Sequence, residues 1–219
     1  MSLIELKNIN KCYSNGDKEI SILENFNLTV NEGEMVAICG KSGCGKTTLL
    51  NILAGIDGFD SGEYIFDGEQ INIKKSSAGV KFRKNRVSVV VQHFALINDY
   101  SVFENVELAL WESKMSKSER KAEVEKALIN LGIADLKDKF PAELSGGEKQ
   151  RTAIGRAIVN NPKLILADEP TGSLDSETEK KIISMLCEIN RKQRTTMIIV
   201  THDSEVAECC SRIVTLNKL

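Results

Sequence analysis

The sequence predicts an α/β fold: a mainly parallel β-sheet with a small antiparallel β part and an inserted α-helical subdomain. Short, mostly β-branched apolar segments, separated by stretches long enough to hold helices, are typical of buried parallel strands. Segments that alternate apolar and polar residues indicate antiparallel strands, and apolar residues recur at helical spacing further along the chain. We therefore expect a single domain over residues 1–219, with a core at about 1–92 and 160–219 and a helical insert at about 95–159.

The candidate parallel strands are the short apolar segments. They lie at Met35–Cys39, Val87–Val91, Leu164–Ala167 and Met197–Val200, with a further strand at Ile213–Leu216. Because each is bounded by turn residues or by helix-length polar stretches, a crossover connection between neighbours is expected.

The antiparallel part is predicted from segments on either side of Met35–Cys39 in the sequence. Leu3–Leu6 and Phe26–Val30 alternate apolar and polar residues, and Tyr64–Phe66 reaches Gln70–Ile73 through the turn Asp67-Gly68. An Asp-Gly pair between alternating segments is a strong hairpin signal.

The helical insert is predicted from a capping pattern followed by a helical repeat. Ser116 and Glu119 have capping-box spacing, and Gly132 ends the segment. The apolar residues of one face are Val124, Leu128 and Leu131.

Composition and charge exclude several classes of function. The chain has 29 Lys and Arg against 31 Asp and Glu, a formal net charge of −2, so it lacks the basic footprint of a nucleic-acid-binding domain. The longest apolar run, Met35–Cys39, has five residues, whereas a membrane-spanning helix needs about 20. The first ten residues do not resemble a signal peptide. We expect a cytoplasmic protein with no nucleic-acid partner.

The cysteines and histidines do not indicate a disulfide framework or a zinc site. The six cysteines include no CxxC pair, and His93 and His202 are far apart in the sequence. Cys44 precedes a predicted helix, where the helix dipole favours a reactive thiolate. A buried, inert thiol is the alternative.

A glycine-rich loop follows the strand Met35–Cys39 and precedes an apolar-rich helix at Thr48–Ala54. It matches the pattern GxxxxGK[ST] in the strand–loop–helix context that a phosphate-binding loop requires. Its residues are Gly40, Lys41, Ser42, Gly43, Cys44, Gly45, Lys46 and Thr47, followed by Thr48. Lys46 would contact the β- and γ-phosphates and Thr47 would ligate Mg²⁺. The alternative, a chance glycine-rich turn, occurs in under about 1% of chains of this length.

Two carboxylates end the strand Leu164–Ala167. Asp168 and Glu169 stand where an open α/β sheet presents its ligand groups. Asp168 suits a Mg²⁺ role, and Glu169 suits a general base that polarises the attacking water. The alternative is that the sequence Asp-Glu-Pro simply caps a surface strand.

A second signature begins at Leu144 and opens another helix. Ser145 and Glu148 have capping-box spacing, so a well-capped helix start explains part of the pattern. Gly146 and Gly147 cost about 1 kcal/mol each relative to Ala inside a first turn. Close approach of their backbone to a second anion would account for them.

These motifs together resemble the nucleotide-binding subunit of an ATP-binding cassette (ABC) transporter, over essentially the whole chain. The phosphate loop, LSGGE, LADEP, Ser173-Leu174-Asp175, Gln92 and His202 carry the resemblance. It implies a P-loop NTPase core that hydrolyses ATP to ADP and phosphate with Mg²⁺. It also implies a homodimer in which Ser145, Gly146, Gly147 and Glu148 of one subunit cover the γ-phosphate held by the other.

The resemblance also assigns roles residue by residue. Gln92 resembles the loop glutamine that contacts Mg²⁺ and links to the membrane subunit, and Asp175 resembles the aspartate that communicates across the dimer. His202 resembles the switch histidine near the γ-phosphate, and Tyr13 stands where an aromatic residue stacks on adenine. The implied catalytic set is Lys46, Gln92, Glu169 and His202, and the implied Mg²⁺ set is Thr47, Gln92 and Asp168. Taken singly, Gln92 and His202 also read as polar strand ends and Tyr13 as a partly exposed aromatic.

Within the family, the sequence is similar to the lipoprotein-release and macrolide-export group, and to short ATPases of bacteriocin export. Val91 and the segment Asn98-Asp99-Tyr100 depart from that group's pattern, which affects the expected permease-contact surface. The apolar candidates for that surface are Phe94, Leu96, Ile97 and Trp111, with packing inside the insert as the alternative.

The implied function is to power a separate integral membrane permease, for export of a peptide, lipoprotein or drug-like substrate. The protein would then lie at the inner face of the cell membrane through its permease. One alternative is a non-transport ABC ATPase that regulates a membrane partner, of the cell-division or mechanical-signalling type. Another is a P-loop kinase for a small molecule, in which LSGGE and Ser173-Leu174-Asp175 would have no role.

Overall fold

The computed structural model describes residues 1–15, 18–73, 76–84 and 86–217. The strands are β1 (Ser2–Asn15), β2 (Lys18–Asn31), β3 (Met35–Cys39), β4 (Ser61–Phe66), β5 (Glu69–Gln70), β6 (Val87–Val91), β7 (Leu164–Asp168), β8 (Thr196–Val200) and β9 (Arg212–Thr215). The helices are α1 (Lys46–Leu53), α2 (Ser76–Arg83), α3 (Val102–Glu107), α4 (Lys117–Asn130), α5 (Gly146–Ile158), α6 (Ser176–Gln193) and α7 (Ser204–Glu208). Short 3₁₀ turns lie at Leu108–Leu110, Ala134–Leu136 and Pro141–Glu143.

The larger sheet is parallel throughout, in the order β6-β7-β8-β3-β9. Its central strands are buried on both faces, which explains why their sequences are continuous apolar runs and not alternating ones. The predicted strands are confirmed to within one residue at each end. The predicted helix Thr48–Ala54 begins two residues earlier, at Lys46.

The smaller sheet is antiparallel, in the order β2-β1-β4-β5. Strands β1 and β2 have 14 residues each, longer than predicted, because register shifts within the pair interrupt the alternation on which the prediction rests. The predicted strand Gln70–Ile73 is wrong beyond its first residue. After Gln70 the chain turns inward, so that Ile71 is buried and Ile73 packs against the core beside Phe82 of α2.

The helical part lies between β6 and β7 in the sequence, and its apolar residues share one core with a face of the parallel sheet and with α6. Ser116 and Glu119 form the predicted capping box at α4, and the face of Val124, Leu128 and Leu131 is buried. Gly132 follows with φ 65°, the left-handed conformation that ends a helix. Helix α5 packs against α3, α4 and β6, so it joins the insert to the parallel sheet.

With its parallel sheet, small antiparallel sheet and inserted helices, the structure confirms the predicted fold class. Within the described residues, every helix is too short or too polar to cross a membrane.

Candidate nucleotide-binding site

The candidate site lies at the carboxyl edge of the parallel sheet. Strands β3, β6, β7 and β8 are parallel neighbours, so the segments that follow them meet at one edge. These segments carry the phosphate loop, Gln92, Asp168 with Glu169, and His202.

The phosphate loop has a backbone that depends on its glycines. Gly43 has φ 75°, and Gly45, the residue that precedes α1, has φ 99°. Gly40 has no room for a side chain, because a Cβ there would lie 2.4 Å from the main-chain oxygen of Leu216. The loop therefore bends sharply into the N-terminus of α1, whose free N–H groups and positive dipole end suit a phosphate.

A cleft of about 360 Å³ opens beside this loop. The residues that line it are Ile22, Ser42, Gly43, Gly45, Lys46, Thr47, Thr48, Asp168 and Glu169. The Lys46 ammonium folds over the loop and donates to the main-chain oxygens of Gly40 at 2.7 Å and Lys41 at 3.1 Å. The cleft thus combines one ammonium group, two hydroxyl-bearing residues at the helix start and two carboxylates, a donor set that fits a phosphate with Mg²⁺.

Cys44, in contrast, faces inward. Its side chain is 2% exposed, and its Sγ would lie 2.6 Å from a Cβ placed on Gly40. The prediction of a reactive thiol is wrong in this structure, because the loop folds the thiol into the core beneath the phosphate cradle.

Asp168 ends β7 and is half-buried behind the phosphate loop. Burial raises its pKa, the charge of Glu169 raises it further, and the Lys46 ammonium opposes both effects. Lys46 is therefore electrostatically coupled to the carboxylate as well as positioned for an anion.

Glu169 has an unusual backbone. Its φ is 45°, the left-handed region that non-glycine residues seldom occupy, and its N–H donates to the main-chain oxygen of Val200 at 2.9 Å. This turn ends the strand alternation and directs the carboxylate toward the chain that follows β8. Strain of this kind is concentrated at functional sites.

Two predicted catalytic side chains meet at Gly172, and a third contacts one of them. His202 Nδ1 lies 3.1 Å from Glu169 Oε1. A Cβ on Gly172 would lie 2.9 Å from Gln92 Nε2 and 3.2 Å from Glu169 Oε2. Gln92 and Glu169 therefore converge at one glycine and His202 contacts Glu169, beside the cleft that Lys46 and Asp168 line.

The LSGG segment caps α5 as its spacing predicts. Ser145 accepts a hydrogen bond from the N–H of Glu148, whose carboxylate accepts in return from the N–H and hydroxyl of Ser145. These bonds lower the pKa of Glu148. A Cβ on Gly147 would lie 2.6 Å from Thr178 Cγ2, so this glycine allows α5 to start against α6.

Asp175 lies next to this segment in the fold. It caps α6 by accepting from the N–H of Thr178, and hydrogen bonds from Thr178 lower its pKa. Within the described part of the chain, neither Asp175 nor residues Ser145–Glu148 line the cleft at the phosphate loop.

Tyr13 is tied to α1 and is 40% exposed. Its hydroxyl donates to Asp57 Oδ2 at 2.5 Å, and the Lys11 ammonium lies 3.1 Å from Asp57 Oδ1 and 4.7 Å from the centre of the Tyr13 ring. Burial and then the Asp57 hydrogen bond raise the pKa of Tyr13. Tyr13 does not appear in the cleft lining among the described residues, and one face of its ring is covered by Lys11.

The predicted permease-contact residues divide into two groups. Trp111, 50% exposed, lines a groove of about 520 Å³ with Val80, Val87, Val89 and Leu108. Phe94, Leu96 and Ile97 instead follow Gln92 on the loop between β6 and α3.

Sequence reasoning missed the residues that support this loop. Buried Asn105 forms four hydrogen bonds with the main chain of residues 97–101. Arg156 of α5 donates to the main-chain oxygens of Phe94 and Ala95. Neither Asn105 nor Arg156 has a local sequence pattern that predicts its partner.

Comparison with known proteins is consistent with this geometry. The family model described as ABC transporter matches residues 23–172. The chain is 43% identical over 212 residues to YknY of Bacillus subtilis, an uncharacterized ABC transporter ATP-binding protein, covering 97% of this chain and 92% of the relative. It is 42% identical to the macrolide export ATP-binding/permease protein MacB of Pasteurella multocida, over 98% of this chain but 33% of that longer protein.

Solved structures agree. The dimeric structure of MJ0796, described as a bacterial ABC transporter cassette, matches with a TM-score of 0.88 and 40% identity, covering 98% of this chain and 94% of that one. A second MJ0796 structure, a dimeric post-hydrolysis state bound to ADP and Pi, matches equally well at 40% identity over 97% of this chain and 94% of that one. MJ0796 is a protein of Methanocaldococcus jannaschii. The phosphate loop, the acidic end of β7 and the family match over more than half of the chain lead to one conclusion: this protein belongs to the ABC transporter family, as one of its ATP-binding ATPase domains.

Proposed function

We propose that this chain is the ATP-hydrolysing subunit of an ABC transporter and powers a separate membrane permease. The observation that carries the proposal is the convergence of Gln92 and Glu169 at Gly172, with His202 against Glu169, beside the cleft that Lys46 lines. A phosphate cradle next to a held carboxylate is what phosphoryl transfer to water requires.

The phosphate loop binds the nucleotide. Its N–H groups and the N-terminus of α1 hold the phosphates, and Lys46 exchanges its two main-chain acceptors for phosphate oxygens. Thr47, Asp168 and Gln92 provide hydroxyl, carboxylate and amide oxygens for Mg²⁺, which when bound neutralises charge on the phosphates.

Glu169 is the proposed general base. Its carboxylate accepts a proton from the attacking water, and hydrolysis then releases ADP and phosphate. The His202 imidazole lies 3.1 Å from this carboxylate and would hold its orientation. Gly172 is the space that permits Gln92 and Glu169 to converge.

The complete site needs a second copy of the chain. Ser145, Gly146 and Gly147 present a capped helix N-terminus away from their own phosphate loop, which suits an anion held by another subunit. The dimeric MJ0796 cassettes, 40% identical to this chain, support this arrangement. We infer a homodimer with two ATP molecules at its interface.

The membrane partner is the part of the proposal that rests most on relatives. MacB, of which this chain matches the ATP-binding third, is described as an ATP-binding and permease protein for macrolide export. The groove that Trp111 lines and the loop after Gln92 offer apolar surface for such a partner. By analogy with this relative, we infer export of a peptide, lipoprotein or drug-like substrate, with the chain at the cytoplasmic face of the membrane.

ATP chemistry is tested on the purified chain. We expect phosphate release that depends on ATP and Mg²⁺, and we expect Lys46→Ala to lose most ATP affinity without unfolding. Lys192→Ala is the matched control, because Lys192 is exposed on α6 and forms a surface ion pair with Glu188. Unchanged ATP binding by Lys46→Ala in a titration would contradict the phosphate-loop assignment.

Coupling is tested after purification of the chain with its membrane partner. Reconstituted vesicles should accumulate a fluorescent drug-like substrate or lipopeptide when MgATP is supplied outside, and Glu169→Gln vesicles should not. ATP hydrolysis stimulated by the partner without movement of any substrate would support the alternative, an ABC ATPase that regulates a membrane protein.

A further inference from the structure

The loop after Gln92 is held in a strained conformation. Phe94 has φ 61° and Ala95 has φ 47°, two consecutive non-glycine residues in the left-handed region. The loop is also tight, since the N–H of Phe94 donates to the oxygen of Val91 at 3.1 Å and that of Ala95 to the oxygen of His93 at 2.6 Å. Such a conformation persists only where surrounding groups hold it.

The group that holds it is the guanidinium of Arg156. Its Nη1 donates to the oxygen of Ala95 at 2.7 Å and its Nη2 to the oxygen of Phe94 at 2.9 Å. The planar fork of an arginine matches two adjacent acceptors, whereas a lysine ammonium cannot hold both in the same geometry. Burial lowers the pKa of Arg156; its hydrogen bond to Phe94 is partly buried and its hydrogen bond to Ala95 is exposed.

Arg156 stands in the last turn of α5, and the LSGG segment forms the first turn. Ten residues separate Gly146 from Arg156, about 15 Å along the helix axis. Between them α5 is largely buried, and a Cβ on Gly155 would lie 3.0 Å from Leu131 and 3.2 Å from Val106. The Arg156 end of α5 is therefore closely packed within the insert.

We propose that Arg156 is a positioning residue. It holds the strained loop, and through the loop it keeps Gln92 next to Glu169. The proposal rests on the ATPase function proposed above. Without the two guanidinium hydrogen bonds, Phe94 and Ala95 relax toward negative φ and the turn that begins at Val91 shifts. Gln92 then leaves Gly172, while the phosphate loop, on a different strand, still binds ATP.

The experiment compares steady-state kinetics of four proteins: wild type, Arg156→Met, Arg156→Lys and Arg156→Met with Ala95→Gly. A misplacement of about 1 Å can reduce a rate by about 10²-fold. We expect Arg156→Met to lower kcat by about 10- to 100-fold and to change ATP affinity by less than about twofold. Arg156→Lys should lie between Arg156→Met and wild type.

Ala95→Gly tests for strain, because in the Arg156→Met background it should restore kcat only if Arg156 acts by holding the positive φ of the loop. Glycine reaches positive φ without strain, so the double variant should regain about fivefold or more in kcat. Its melting temperature should rise slightly as well, because relief of strain at positive φ exceeds the unfolded-state entropy that glycine adds, so kcat is compared at a temperature where both variants are fully folded. Arg120→Met is the matched control: Arg120 also contacts a main-chain oxygen, that of Met115, from within the insert but away from Gln92. It should retain the wild-type kcat.

The outcomes separate this inference from the proposed function. If wild type hydrolyses ATP and Arg156→Met matches its kcat, the positioning role is wrong and the ATPase function stands. Equal losses in Arg156→Met and in the double variant would also overturn the role of strain. Should Arg156→Met fail to fold, Arg156→Lys with and without Ala95→Gly gives the same comparison. Absence of hydrolysis by wild type would instead contradict the function itself.

Discussion

Removal of the Asn105 side chain should strongly lower the free energy of unfolding, although it removes only a few atoms. Its side chain is fully buried and accepts from the N–H of Ile97 at 2.8 Å. It donates to the oxygens of Ile97 at 3.0 Å, Tyr100 at 2.9 Å and Ser101 at 3.0 Å. At a net value of about 1 kcal/mol per hydrogen bond, with some loop groups regaining water, Asn105→Ala should lower the free energy of unfolding by about 3 kcal/mol.

For a domain of this size that loss corresponds to a decrease in melting temperature of about 6–12 °C, measured by calorimetry or circular dichroism. Asn130→Ala, at an exposed position of the same insert, is the control and should change it little. Asn105→Asp is a sharper probe. It replaces the amide donors by a carboxylate that faces three carbonyl oxygens. At pH 8 it should therefore lower the melting temperature more than Asn105→Ala does, and this decrease should become smaller as the pH falls. Equal melting temperatures for Asn105→Ala and Asn130→Ala would refute this reasoning.

Three further predictions concern Gln150 of α5 and two residues of the candidate site, Asp168 and Gly172. Among the described residues, the buried Gln150 amide has no hydrogen-bond partner, so Gln150→Met should raise the free energy of unfolding by about 1 kcal/mol in a denaturant titration. Since burial and then Glu169 raise the pKa of Asp168, the ionised carboxylate opposes folding above that pKa. Asp168→Asn should therefore raise the melting temperature at pH 8, by an amount that shrinks as the pH is lowered toward 4; a gain independent of pH would contradict this. Gly172→Ala should impair hydrolysis but not ATP binding, because its Cβ would displace Gln92 or Glu169; wild-type phosphate release would argue against that crowding.

The parts of the fold that the sequence predicted are those with local physical causes. The central parallel strands are continuous apolar runs because both of their faces are buried, and Ser116 and Ser145 cap their helices through residues three positions away. Helix α2 was not predicted, since Ser76–Arg83 lacks a helical apolar repeat. It is fixed by tertiary packing instead: a Cβ on Gly79 would lie 2.1 Å from the oxygen of Gly55.

The residues of the candidate site also divide into those that a local sequence pattern predicts and those that only the tertiary structure brings together. Its phosphate loop is contiguous, so spacing alone identified Lys46 and Thr47. Arg156 and Phe94 lie 62 residues apart, and Gln92 reaches Glu169 only through the pairing of β6 with β7. No local pattern records such contacts, because they arise from the order of strands in the sheet and from the position of α5.

The central claim, that Glu169 is the base in a site completed by a second subunit, is tested most directly by Glu169→Gln. A general base contributes about 10²–10⁴-fold in rate, and the amide keeps the shape of the carboxylate without its basicity. We expect hydrolysis at least about 10²-fold slower than wild type with ATP still bound. Light scattering should then show an ATP-dependent dimer that Ser145→Arg returns to monomer. Wild-type hydrolysis by Glu169→Gln, with no ATP-dependent change in mass, would contradict the account.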